Sequence, residues 1–243
     1  MRSLPPSTEP WAVSLADLSA TGQPVGQKVD GEFPCPVPPH HPLVGRFGQL
    51  VPLAETHSDG LFDAFAADQT GRGWTYLPID PWADRAVARA WCAQNATSRD
   101  PQFYCIQDLD GVPLGFCSYL RIAPEVGSIE VGYIHFSPLM QKQALATEVM
   151  FLMMQNAFDL GYRRYEWKCD ALNAPSRAAA QRLGFTYEGT FRQATLYKGR
   201  NRDTAWFSII DTEWPALKTR FERWLSPNNF TTSGQQITSL NQI

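Results

Sequence analysis

The stretch PLMQKQALATEVM, residues 138–150, decides how the chain folds. It follows an alternating apolar run, SIEVGYIHF, and passes directly into a helical pattern. Amides in the first turn of a helix have no partner inside it, so such a turn can hold an anion. Ala144 and Ala146 are small enough for a ligand to approach the main chain, Thr147 offers a hydroxyl and Lys142 a positive charge. On physical grounds alone an ordinary helix start after Pro138 explains the residues equally well. A Walker A phosphate loop is excluded, because its Gly-Lys-Ser/Thr is absent.

Downstream, Ala146, Val149, Met150, Met153, Ala157 and Leu160 recur at helical spacing, and Gly161 stops the helix. YRRYEWKCD reads as the next strand. NAPSRAAAQRLGF is a short helix with Asn173 as cap, Pro175 in its first turn and Gly184 as its stop. Strands over about 186–197 and 203–211 flank the basic turn KGRNRD, and TEWPALKTRFERWL closes the series as a helix. Upstream, QFYCIQD and VPLGFCSYLRI are joined by LDGV, whose Asp-Gly signals a hairpin. Before them come a strand in GRFGQLVPL and a helix in HSDGLFDAFAAD, capped by Ser58 or Asp59. A second helix, in DPWADRAVARAWCAQNA, has Asp80 as cap and Pro81 at its first position. The order predicts a mixed α/β sheet in one domain, without the regular βαβ alternation of a doubly wound fold.

The termini differ in composition. Residues 1–43 form a Pro-rich arm, extended or without fixed structure, with an ordered part near 31–44 through Phe33, Val37 and Leu43. Residues 44–225 form the folded domain, and 226–243 a polar tail that Phe230 can anchor. The net charge of −3 disfavours a nucleic-acid partner. KGRNRD reads either as a solvated tip or as a contact for an acidic ligand. Five cysteines, an odd number with no C-x-x-C, read as reduced and buried. His40 and His41 lie between prolines with no thiolate or carboxylate beside them, so no metal site is expected. No apolar run approaches the ~20 residues of a membrane span. The opening MRSLPPSTEPW lacks the pattern of a signal peptide, so a cytoplasmic protein, monomer or homodimer, is expected.

Two segments together resemble the GNAT superfamily of N-acetyltransferases. Gln141, Ala144 and Ala146 occupy the defined positions of its motif A, Gln/Arg-x-x-Gly-x-Gly/Ala, with Ala144 in place of the first glycine. NAPSRAAAQRLGFTYEGTFR is similar to the motif B region of the branch that acetylates protein N-termini, including those of ribosomal proteins. The resemblance spans about residues 44–225. It implies a GNAT fold: a mixed central sheet of about seven strands, splayed at the cofactor site, with flanking helices. It implies acetyl-CoA as co-substrate, its pyrophosphate on the amides of Lys142, Gln143, Ala144, Leu145, Ala146 and Thr147, after Gln141. The pantetheine arm would pair with the main chain of Ile134, His135 and Phe136, and Asn173 would lie beside it. Acetyl would pass directly to a primary amine, a peptide N-terminus or a small molecule, without metal.

Such a transfer needs a base for the amine and a proton donor for the leaving thiolate. Glu130 lies 11 residues before Gln141, where the histone-acetyltransferase branch places its base. An acid among apolar neighbours in a central strand is either functional or paired, and both readings stand. By period two, Glu130, Gly132, Ile134 and Phe136 share a face. Ser176 is the candidate donor to the thiolate, or a first-turn cap. Ala180 stands where many superfamily members have a tyrosine, and Thr195 where the N-terminal-acetylating branch has a glutamate. Tyr197 and Glu188 are neighbouring candidates. The other class of function these departures allow is a non-catalytic acyl-CoA-binding or sensing module.

Overall fold

The computed structural model describes residues 16–243. The first fifteen residues of the Pro-rich arm lie outside the described residues. Two compact units are resolved by their internal contacts, one ending at Glu32 and the other Phe33–Ile243. In the first, β1 (Ala16–Leu18) and β2 (Pro24–Gly26) pair antiparallel around a turn at Ser19–Gln23. This hairpin was not expected from the arm's composition.

The second unit is built on one sheet. Its elements are β3 (Leu43–Val44), β4 (Gln49–Pro52), α1 (Ser58–Ala66), α2 (Arg85–Ala96), β5 (Gln102–Gln107), β6 (Pro113–Ala123) and β7 (Ser128–Phe136). Then follow α3 (Ala144–Asp159), β8 (Arg164–Asp170), α4 (Ala174–Leu183), β9 (Thr186–Tyr197), β10 (Arg200–Ile210) and α5 (Trp214–Leu225). The sheet has eight strands in the order β3-β4-β5-β6-β7-β8-β10-β9. The strand beyond the expected seven is the two-residue β3 at the edge. Among the described residues only β7 and β8 pair in parallel, and α3 makes the crossover between them.

Two cores flank the sheet. On one face Tyr104, Cys117, Tyr119, Ile129 and Val131 pack under α3, α4 and α5. On the other, Phe103, Cys105 and Phe116 pack under α1, α2 and the segment 74–82. Helix α3 is buried nearly all round, because Val149, Met150, Met153 and Ala157 face the sheet core while Phe151 meets Phe221 of α5. Each such fully buried large side chain contributes about 1.5–3 kcal/mol relative to exposure. The chain leaves α3 and α4 through Gly161 (φ +88°) and Gly184 (φ +98°), the left-handed positions glycine allows.

Two helix starts differ from expectation. Helix α1 is entered through a 3-10 turn at Glu55–His57, and neither Ser58 nor Asp59 caps it. Helix α2 is capped by Asp84, whose carboxylate accepts from Val87 N at 2.9 Å, not by Asp80. A start at Pro81 would carry Trp82 onto the helix. Instead Trp82 packs against Phe65, Trp74 and Trp91. The Asp-Gly hairpin between β5 and β6 forms as read, with Asp108 accepting from Val112 N and Gly111 at φ +81°.

Within 33–44 Cys35, Pro38 and Leu43 are buried and His40 packs on Tyr104, while Phe33 and Val37 stay exposed. Cys35 Sγ donates to Gly161 O, and Gln102 Nε2 donates to Pro38 O. In 226–243, Phe230 lies between Phe47 and Trp224, the Asn229 side-chain amide donates to Thr238 O and accepts from Thr238 N, and Leu240 is buried. The five cysteines are free and buried, and burial pushes the Cys92 thiol up to about 12. No helix among the described residues is long and apolar enough to cross a membrane.

Candidate active site

Strands β7 and β8 stay paired from Ser128↔Arg164 to Val131↔Trp167 and then part. The cause lies in β7. Tyr133 takes a left-handed conformation (φ +49°), and the register against β6 slips so that Gly132 opposes Ser118 while His135 opposes Phe116. This is a bulge, which bends a strand and raises its twist. It also shifts the alternation of side chains. Glu130 and Gly132 therefore do not share a face with Ile134 and Phe136, which pack toward the α3 core. The period-two expectation fails there because one inserted residue reverses it.

A cleft of about 1350 Å³ opens between the diverging ends. Residues 130–136 line one side, and Trp167 to Asp170 the other. Gln141, Asn173, Ser176, Thr195 and Tyr197 also reach it.

On the α3–α4 side the recognition groups are mostly main chain. Gln141 Nε2 donates to Phe136 O at 2.9 Å, and Lys142 is held at φ +61°. Gln143 is extended and makes no side-chain cap, so the first amides of α3 at Ala144 and Leu145 have no helical acceptor. Ala144 is itself helical, with the negative φ at which a methyl group fits. Leu145 is buried, against Gly48, and the buried Thr147 hydroxyl accepts from Arg182 Nη2 at 3.1 Å. The Thr147 side chain thus turns to α4, and what it can offer an anion is its amide. Asn173 Oδ1 caps α4 on Ser176 N at 3.1 Å. Ser176 Oγ accepts from Trp167 Nε1 at 3.0 Å, which leaves its own proton for donation. Ala180 is fully buried on the inner face of α4, and burial raises the Cys169 thiol.

The opposite face carries charge. Glu130 Oε2 accepts from Arg121 Nη1 at 2.6 Å and from Lys168 Nζ at 2.8 Å. Lys168, whose side chain is 5% exposed, also pairs with Glu166 at 2.6 Å and sits 3.8 Å over the Trp206 ring. The row continues from Glu166 through Arg164 to Glu188. The Arg164 guanidinium holds the Glu188 carboxyl below its ordinary value, and Ser208 Oγ adds a hydrogen bond. Glu188 is thereby committed to this row and does not line the cleft. Beyond the row, Tyr197 Oη donates to Asp170 Oδ2 at 2.9 Å, and burial pushes the phenol up to about 12.

The cleft is roofed. Lys198 Nζ donates to Trp74 O at 2.9 Å and approaches Asp80 at 3.4 Å, and Tyr76 Oη donates to Leu172 O. Part of the basic turn KGRNRD is therefore engaged with the segment 74–80. Next to it His135 stacks on Phe65, with ring centroids 4.1 Å apart, and packs on Trp74. Burial lowers its imidazole to about 3, so it is neutral at ordinary pH.

The sequence profile of the Acetyltransferase (GNAT) domain matches residues 49–186. The chain belongs to the GNAT acetyltransferase family. A GCN5-related N-acetyltransferase from Brucella melitensis is 45% identical, covers 86% of this chain and 96% of its own, and superposes with a TM-score of 0.83. An uncharacterized N-acetyltransferase, p20, of Bacillus licheniformis is 28% identical over 144 residues, 57% of this chain and 80% of its own. A ribosomal L7/L12 alpha-N-protein acetyltransferase solved in complex with coenzyme A is 22% identical, covers 69% of this chain and 97% of its own, and has a TM-score of 0.58. That last likeness is one of fold. Acetyl-CoA is the acyl donor of the GNAT family, and no group of acids, histidines and cysteines fit to hold a metal is found among the described residues of this GNAT chain.

Two charged cleft residues of the GNAT chain escaped the sequence reading, Lys168 and Asp170. A signal for both existed. In YEWKCD, the charges Glu166, Lys168 and Asp170 alternate with Trp167 and Cys169, so a strand puts all three on one face. Arg202 belongs to the basic turn KGRNRD, which reads as a solvated tip or as a contact for an acidic ligand, and it lines the cleft.

Proposed function

We propose that this chain is an N-acetyltransferase that moves the acetyl group of acetyl-CoA directly to a primary amine, a peptide N-terminus or a small molecule. The observation that carries the proposal is the parting of β7 from β8 at Val131/Trp167. It leaves β7 main chain without a β8 partner beside the uncapped start of α3. Both features suit a ligand with an extended amide arm ending in phosphates.

In this proposal the amides of residues 142–147 hold the pyrophosphate, and the main chain of Ile134, His135 and Phe136 pairs with the pantetheine. Bound acetyl-CoA supplies an activated carbonyl, whose C–S bond breaks as the amine's C–N bond forms. Glu130 takes the proton that the ammonium must lose, directly or through one water. Ser176, with its Oγ already accepting from Trp167, gives its proton to the thiolate and regains one, by way of water, from the nitrogen, which sheds its second proton as it becomes an amide. Asn173 fixes Ser176 through the cap on its amide. The roof made by Lys198 and Tyr76 narrows the cleft and favours a small acceptor or the slender end of a peptide. No observation favours a sensing module over a transferase.

The test is free-thiol release from acetyl-CoA across a panel of amines and N-terminal peptides. Release should require the amine. Glu130→Gln should slow it by roughly 10²-fold at neutral pH, the usual scale for loss of a general base. Raising the pH should recover part of the rate. Thiol release indifferent to every amine would contradict the proposal.

A further inference from the structure

Among the buried and half-buried charges on the sheet face of the cleft, opposite signs are paired with two exceptions; Arg192, also unpaired among the described residues, is exposed. Glu130, Lys168, Glu166, Arg164 and Glu188 neutralise one another in a row. Asp170 is 5% exposed, yet its carboxylate bonds only the Tyr197 hydroxyl and the Leu172 amide, and no cation pairs with it among the described residues. Arg202 is half-buried. Its Nε has no hydrogen-bond partner, and its guanidinium has no carboxylate partner among the described residues. The adjacent Asp203 is occupied elsewhere, accepting from Gln193 N and Asn201 Nδ2.

These two unpaired charges stand at the same end of the cleft. Asp170 lies opposite Thr204 in the sheet, and Arg202 is two residues along that strand. Tyr197 touches both, bonding Asp170 and presenting its ring to the guanidinium at 5.8 Å. Around them the lining is apolar: Phe191 and Trp206 with ring centroids 4.5 Å apart, and Leu77 and Pro78 above. Desolvated charges of opposite sign that do not meet each other are costly unless something bridges them. A ligand that does so carries both signs.

We infer that the acceptor is a small zwitterionic amine of the free amino-acid kind, with its carboxylate held by Arg202 and its ammonium facing Asp170. The inference rests on the transferase proposal and names the substrate class of the same site. A guanidinium fork matches a carboxylate with two parallel hydrogen bonds, which a carboxamide cannot accept as strongly. Tyr197, kept protonated by burial, orients the Asp170 carboxylate. The ammonium then sits at the parted end of β8, on the side of the cleft away from α4. A peptide N-terminus would bring the ammonium and leave Arg202 unpaired.

The experiment compares the common amino acids as free acids, as carboxamides and as the first residue of short peptides, with acetyl-CoA as donor and thiol release as readout. The preferred free acid should exceed its carboxamide in kcat/KM by roughly 10- to 100-fold, the scale of one charge-assisted hydrogen-bond pair. Arg202→Gln should bring the acid down to the level of the amide, with CoA affinity by calorimetry unchanged. Arg202→Lys should recover part of the preference. Amides or peptides used as well as free acids, or an Arg202→Gln variant that keeps the preference, would overturn the inference and leave the transferase proposal standing. No thiol release with any amine, from protein that binds CoA, would overturn both.

Discussion

On the α3–α4 side of the parted strands, Ile134, Phe136, Asn173 and Ser176 meet the cleft with no ion pair among them. On the other side Glu130, Lys168 and Glu166 form a row of charge nearly closed to solvent. The first side offers a ligand main-chain groups and two small polar side chains, so it tolerates a change such as glycine to Ala144. The second side offers side-chain charge whose every member depends on its neighbours. A donor common to a whole family suits the first construction, and an acceptor that differs from protein to protein suits the second.

The contrast is broken most directly at Lys168. Lys168→Met removes the cation between two buried carboxylates, leaving Glu130 to Arg121 alone and Glu166 to Arg164. Loss of one partner from a buried network costs about 3–5 kcal/mol, read as a lower urea midpoint. A loss below about 1 kcal/mol, the value of a surface pair, would show the row to be solvated and the contrast empty.

His135 gives the next largest effect. Burial sets its folded value near 3 against an ordinary 6.5, so the unfolded chain takes up the proton first as pH falls. The stabilising contribution is complete above pH 6.5 and is lost progressively as the pH drops toward 3. Unfolding free energy should fall by roughly 2 kcal/mol between pH 6.5 and about 5. His135→Leu should flatten that slope, and an unchanged slope would place the imidazole in water.

The smallest effect sharpens the other side. Ala144→Glu sets a carboxylate against the α3 amides, and CoA affinity should drop at least ~10-fold, about 1.4 kcal/mol. The fold should be retained. Calorimetry showing unchanged affinity would remove the α3 start from the cofactor site.

The same contrast governs what the sequence could reveal. Helices α3 and α4 were legible because their ends are chemically marked: Asn173 as cap, Gly161 and Gly184 as stops. The order of strands was legible from alternation and the Asp-Gly hairpin. The bulge was not, because a tyrosine at positive φ carries no sequence signal, and with it went the face assignment of Ile134 and Phe136. Asp84 displaced Asp80 as the α2 cap because Trp82 has a better place among aromatic rings far off in sequence. Glu130 was recognisable as an acid that must be functional or paired. Its partner Lys168 lies 38 residues away in sequence and meets it only when β7 and β8 align in parallel. Arg202 kept two readings, solvated or in contact with an acidic ligand, since a basic turn looks the same whether solvated or roofed.

Direct transfer within the parted strands is tested by a single turnover with acetyl-labelled acetyl-CoA, the protein in excess and one accepted amine. The label should pass to the amine at the rate at which thiol appears, with no acetylated protein trapped by acid quench at any time. Label held on the protein before it reaches the amine, or released as acetate with the amine unmodified, would contradict the account.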